Sequence, residues 1–191
     1  MVGDVPGRDA EALYGTFVQS SRALGTEVYR TNEAAGQLIA RLIRDTGAEK
    51  VALAPAPLLT ILEVEKAVAA AGAVLTTGGV RERAARAGLG ITAFDLAIAE
   101  TGTLVQDATA LEPRLVSMLV PTHLAVVPLD GLRATWREAM AALAAGEIAG
   151  YLAFVSGPSR TADIERVLTI GVHGPGRLMV VFVDQGGGNS R

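Results

Sequence analysis

Two stretches of this 191-residue chain hold side chains and backbone suited to chemistry on a small molecule. In the first, Ser156-Gly157-Pro158-Ser159-Arg160-Thr161 follows the apolar run Tyr151 to Val155 and precedes Ala162-Asp163-Ile164-Glu165. That order predicts a buried strand, a turn, and a short helix capped by Ser159 or Thr161. Free backbone N–H groups at such a helix start, together with the hydroxyls and Arg160, favour an anion such as a carboxylate or phosphate. A capped loop with no ligand satisfies the same pattern. The second stretch, Glu100-Thr101-Gly102-Thr103, lies between apolar segments and reads as a tight turn. Glu100 there is either solvated or an acid–base group at a cleft. Asp95 carries the same ambiguity, as a structural hydrogen-bonding group or a cleft carboxylate.

Ligands of parallel sheets sit beyond the carboxyl ends of the strands. The loop Ser156, Gly157, Ser159, Arg160 and Thr161 is therefore expected at that edge. Glu100, Thr101, Gly102, Thr103 and the loop containing His173 are expected to approach it. In this arrangement Glu100 is the candidate acid–base group and His173 supplies a proton or a hydrogen bond. Thr101 and Thr103 shape the turn.

Other patterns fail on context. Gly88-Leu-Gly90-Ile-Thr-Ala93 fits a dinucleotide fingerprint, but helix, glycines, strand is the wrong order for a pyrophosphate at a helix N-terminus. Gly171-Val-His-Gly-Pro-Gly176 has phosphate-loop spacing, yet Arg177-Leu178 stands where Lys-Ser/Thr is needed. Ser156 lies in no G-x-S-x-G elbow. His123 and His173 lack a neighbouring histidine or patterned carboxylate, so no metal site is assigned.

Composition narrows the classes. Half of the residues are hydrophobic and 19% are charged, which excludes a disordered chain. Mean hydropathy is +0.35, but no run approaches the ~18 apolar residues of a membrane span. A net charge of −3 argues against nonspecific nucleic-acid binding. The sequence has no cysteine, so a disulfide, a thiol nucleophile and a cysteine-ligated iron–sulfur cluster are all excluded from this chain. The start, MVGDVPGRDA, lacks the basic and apolar regions of a signal peptide, and cytoplasmic residence is expected.

The elements that must position these residues alternate. Helical patterns are predicted over Asp9 to Leu24, from Asn32 to a stop at Gly47, and over Leu58 to Ala71, Arg81 to Ala87 and Leu132 to Ala145. Apolar strands are predicted at Lys50 to Ala54, Ala73 to Thr76, Thr122 to Pro128, Tyr151 to Val155 and Leu178 to Val183. Strand followed by helix, with apolar rather than alternating strands, implies an α/β fold around a mainly parallel sheet. Ile91 to Ala99 and Leu104 to Asp107 add a β-hairpin to that sheet. A single domain over 1–184 and a flexible tail at 185–191 complete the expectation.

Gly90-Ile-Thr-Ala-Phe-Asp-Leu-Ala-Ile-Ala-Glu-Thr-Gly-Thr103 resembles the ITxxDxxIAxTGT segment of the LUD domain, the lactate-utilisation protein C family. Leu119 to Pro128, Phe154 to Glu165 and Gly171 to Pro175 resemble its following motifs, in the same order. The resemblance implies a three-layer, Rossmann-like fold similar to the ribose-5-phosphate isomerase, glucosamine-6-phosphate deaminase and CoA-transferase superfamily. It also implies a part in oxidising L-lactate to pyruvate beside iron–sulfur partner proteins, with no cofactor held in this chain. The alternative is a stand-alone enzyme or binding protein for a phosphorylated or CoA-linked small molecule, which rests on fold analogy.

Overall fold

In a computed structural model, residues 10–31, 35–146, 149–162, 168–170 and 174–184 are described. The helices are α1 (Ala10–Ala23), α2 (Ala35–Thr46), α3 (Pro57–Ile61), α4 (Val64–Ala70), α5 (Val80–Arg86), α6 (Leu111–Leu119) and α7 (Trp136–Ala144). The first six strands are β1 (Glu27–Thr31), β2 (Lys50–Leu53), β3 (Val74–Leu75), β4 (Leu89–Ala93), β5 (Leu96–Ile98) and β6 (Thr103–Asp107). The rest are β7 (Thr122–Pro128), β8 (Leu132–Arg133), β9 (Leu152–Val155), β10 (Arg160–Ala162), β11 (Leu168–Ile170) and β12 (Arg177–Val183).

Six strands form one sheet in the order β1-β12-β7-β4-β2-β3, and every pairing in it is parallel. Its centre is apolar on both faces because helices and a second sheet cover both. Leu89 and Ile91 of β4, Leu124 and Val126 of β7, and Met179 and Val181 of β12 face α2 and α4. On α2 the buried residues Ala35, Ile39, Ala40, Leu42 and Ile43 recur at helical spacing, so one stripe meets the sheet. The intervening residues, Ala125, Val127, Leu178, Val180 and Phe182, turn to the other face. Phe17 of α1 meets them there, edge-on to Phe182 at 4.9 Å between ring centroids. On that same face α5 and α6 cover β2 through Ala84, Ala87, Val116 and Val120.

The expected mainly parallel α/β architecture is present, with a four-stranded sheet, β8-β5-β6-β9, beside it. The hairpin does not extend the parallel sheet. Ile91 to Ala99 is two strands, since β4 ends at Ala93 and β5 pairs with β6 and β8 in the smaller sheet. β9 is its edge strand, only half-buried, with Phe154 41% exposed, and is not the buried strand expected from its apolar run. Leu132–Arg133 is strand β8, and the helix expected from Leu132 begins at Trp136. Thr135 marks the start, accepting the Glu138 N–H at its side chain.

Three further differences have local causes. Glu63, at φ 50°, splits the expected 58–71 helix into α3 and α4. Helix α6 is not among the expected helices; it contains Pro113, which the first helical turn tolerates because a backbone N–H at that position would have no intrahelical partner. β1 reads as polar (Glu-Val-Tyr-Arg-Thr), because it is an edge strand and its residues are only partly buried.

Candidate functional site

The turn at Glu100–Thr103 and the loop at Ser156 meet, as expected, through side chains. Thr101 Oγ1 donates to Thr103 Oγ1 at 2.8 Å, and Thr103 Oγ1 lies 2.7 Å from Ser156 Oγ. Thr103 is buried while Thr101 and Ser156 are exposed, so the three hydroxyls form a series with its middle member in the interior. The antiparallel pairing of β6 with β9 brings them together, with Leu104 opposite Val155. Gly102 has φ +63°, and a Cβ there would lie 2.7 Å from Ser21 N, so only glycine lets the turn dock on the end of α1. Ser20 Oγ donates to the Glu100 carbonyl at 3.3 Å on the same side.

Glu100 is committed elsewhere. Its Oε1 accepts the Trp136 N–H at 2.5 Å and its own N–H donates to Ala134 O at 3.1 Å. The carboxylate therefore satisfies an orphan donor at the positive end of α7. The Trp136 ring rests against Phe154 at 4.8 Å, and both are partly exposed.

Arg160 has a comparable structural duty. Its guanidinium donates to Leu24 O, just past the end of α1, where the helix leaves carbonyls without partners. Gly157, at φ +90°, packs against the same residue, with 3.0 Å from a built Cβ to Leu24 Cβ. The short helix expected after Thr161 is corrected: Arg160–Ala162 is β10, paired antiparallel with Leu168–Ile170, and 163–167 lie outside the described residues. The helix N-terminus invoked for anion binding is thus not supplied by Thr161. Ser159 instead donates its N–H to Pro175 O at 2.8 Å, and Gly174 packs on its side chain. The end of the Gly171-Pro175 motif therefore reaches this loop, while His173 lies outside the described residues.

The loop borders a cavity of about 240 Å³ lined by Ser117, His123, Phe154, Ser156, Ser159 and Leu178, among others. His123 and Leu178 are the second residues of β7 and β12, so the cavity is at the amino ends of the parallel strands. The expectation of a carboxyl-edge position is overturned. Its premise fails because β9, which delivers Ser156, pairs antiparallel with β6 in the smaller sheet and is not a strand of the parallel one. The first residue of β12 carries an ion pair at this end: Arg177 Nε donates to Glu27 Oε1 at 2.6 Å, and this bond holds the Glu27 carboxyl below its usual range.

His123 is the histidine the sequence passed over. It is 1% exposed, its Nε2 lies 2.9 Å from Thr92 Oγ1, and Phe94 packs on it at 5.9 Å. Burial lowers its pKa to about 4, so the ring is neutral near pH 7. The register signal was available in principle: Gly90 pairs with His123, which places Thr92 one pleat along the same face. Chemically, the cavity offers hydroxyls and a neutral imidazole. Among the described residues, Ser156 Oγ has the Thr103 hydroxyl as its side-chain partner.

A sheet of parallel strands with helices on both faces and a satellite mixed sheet defines the class of fold. A sequence model described as the LUD domain matches residues 14–183, and the chain belongs to that family. It is 41% identical over 108 residues to lactate utilization protein C of an Exiguobacterium species, covering 54% of this chain and 47% of that protein. It is 43% identical over 100 residues to the protein of the same name in Deinococcus radiodurans, covering 51% and 47%. The chain thus spans about half the length of these relatives. A crystal structure of a DUF162 family protein from Deinococcus radiodurans superposes with TM-score 0.67 at 25% identity, over 93% of this chain and 99% of that one.

Proposed function

We propose that this chain acts in L-lactate utilisation, as the cluster-free member of a system that oxidises L-lactate to pyruvate. The observation that carries the reading is the family match across 14–183, with relatives named lactate utilization protein C. Oxidising lactate releases two electrons and two protons. A chain without cysteine has no thiolates for an iron–sulfur cluster, so its residues do not fit one and the electrons pass to clusters in partner proteins. No described helix is long and apolar enough to cross a membrane.

The cavity at Ser156 is the place assigned to the small carboxylate. Ser117, Ser156 and Ser159 line it, and among the described residues no Lys or Arg does. Binding there rests on hydroxyl and backbone donors rather than on Arg160, which is tied to α1. The roles of Glu100 and Thr103 in this reading are to fix α7 and the Ser156 hydroxyl.

Reconstitution tests the proposal. Lactate-dependent reduction of an acceptor is measured with the cluster-bearing partners, with and without this chain. Omission is expected to lower the rate at least tenfold. An unchanged rate and unchanged stability of the partners would overturn it.

A further inference from the structure

The opposite end of the parallel sheet carries a second cavity, of about 510 Å³, that the lactate reading does not use. It lies where Ala54 follows β2 and Ala93 ends β4. These neighbouring strands send the chain in opposite directions: β2 leads through α3 and α4 to β3 at the edge, and β4 leads through the smaller sheet and α6 to β7. The connections also diverge to opposite faces, α4 to one and α6 to the other. A crevice at the carboxyl ends of parallel strands where the order reverses is the general ligand position in open α/β sheets.

The lining has one kind of chemistry. Asp95, Asp107 and Glu112 contribute carboxylates, while Pro55, Pro57 and Pro113 are among the apolar walls, and among the described residues no Lys or Arg lines it. Asp95 Oδ2 accepts the Asp107 N–H at 2.9 Å, and Asp107 Oδ1 accepts the Thr109 N–H at 2.8 Å. These bonds, with the Thr109 side chain also bonded to Asp107, fix the orientation of both carboxylates at the mouth of the crevice. Gln106, also in the lining, is 3% exposed. Its Nε2 donates to Ala93 O at 2.5 Å, which fixes the amide orientation and turns Oε1 into an acceptor. That Oε1 is buried and has no partner, an arrangement that costs roughly 1–3 kcal/mol in an interior. The backbone under Asp95 is held as well, since a Cβ on Gly131 would lie 2.5 Å from Asp95 O.

We propose that this crevice binds a small organic cation with N–H donors and an apolar body, a primary alkylammonium. The carboxylates supply charge complementarity, Gln106 Oε1 gains its missing donor, and the proline walls take the alkyl chain. The apolar proline walls favour an organic cation over an inorganic one. The inference stands independently of lactate as substrate.

The test titrates the intact chain with 1,4-diaminobutane, followed by calorimetry and amide chemical shifts. Butane-1,4-diol and succinate, of the same length, are the neutral and anionic controls. The diamine is expected to saturate and to shift the amides of Asp107 and Thr109, with succinate inert and the diol at least tenfold weaker. Asp95→Asn and Asp107→Asn are each expected to weaken the diamine about tenfold. Gln106→Met is expected to weaken it about fivefold. If Gln106→Met fails to fold, the two exposed aspartate variants decide alone. No saturable diamine binding, equal binding of the diol, or affinity unchanged in both aspartate variants would overturn the proposal.

Discussion

At one end of β6, Thr103 joins a series of hydroxyls beside a neutral imidazole cavity; at the other end, Gln106 and Asp107 border a crevice of carboxylates. The strand is five residues long, so at ~3.3 Å per residue these two environments are only about 13 Å apart. The amino-end cavity is closed by backbone docking, with Gly102 on Ser21 and Gly157 on Leu24. The carboxyl-end crevice is held by side-chain acceptors on backbone N–H groups, Asp95 on Asp107 and Asp107 on Thr109. The first is built to be neutral and tightly packed, the second to stay charged. The same small sheet produces both, because it packs on β7 and β12 and its strand β6 contributes to each end.

The largest effect should come from the packed end. Gly102→Ala combines a left-handed φ with a Cβ 2.7 Å from Ser21 N, and is expected to cost about 4 kcal/mol in urea unfolding. Hydrogen exchange should rise at Ser20 to Thr26 before it rises at Asp107. Simultaneous loosening at both places would show that the two ends are one unit.

His123 gives the next effect, and it depends on pH. Its folded pKa of about 4 lies below the ordinary 6.5, so the unfolded chain binds the proton first. Stability contributed by the neutral ring is complete above pH 6.5 and falls as pH drops toward 4, by about 3 kcal/mol in total. His123→Asn should flatten that slope when unfolding is followed from pH 7 to pH 4. Asp107 acts lower: its bonds to Thr109 depress its pKa, so its contribution is lost only below the ordinary carboxylate range. An unchanged slope in His123→Asn would remove the imidazole as the pH-sensitive element of the amino end.

A double-mutant cycle on Thr103→Val and Ser156→Ala should return a coupling of about 1 kcal/mol for the 2.7 Å bond. Strictly additive losses would show that the two hydroxyls do not hold the sheets' loops together. Smallest of all is Glu100→Gln, which keeps the acceptor for Trp136 N–H and removes only the charge at the start of α7. A loss of about 0.5 kcal/mol by thermal unfolding is expected; a loss several times larger would mark a role for the charge beyond helix capping.

Much of the parallel sheet was legible because its strands are continuous apolar runs: Val51, Ile91, Leu124 and Val181 lie in stretches that no helix period explains. β1 was not legible, since an edge strand with Glu27 and Arg30 carries no such run. The approach of Thr103 to Ser156 was expected at the carboxyl edge of the parallel sheet, whereas the pairing of β6 with β9 produces it at the amino end. What each residue does there was not legible, because it depends on distant partners: Arg160 on Leu24, Glu100 on Trp136, His123 on Thr92. The crevice escaped for a related reason. Asp95 and Asp107 are twelve residues apart, and only hairpin pairing sets one against the other.

The pairing of β1 with β12 also sets a schedule for synthesis. Glu27 and Arg177, which clasp each other at the start of these strands, are 150 residues apart. A ribosome adding roughly 5–20 residues per second needs on the order of ten seconds or more to cover that span. During that interval β7, β4, β2 and β3 can already be paired, while Val28 and Tyr29 wait without a neighbouring strand. The polar character of β1, which hid it in the sequence, is what lets a strand wait in water for its partner to be made.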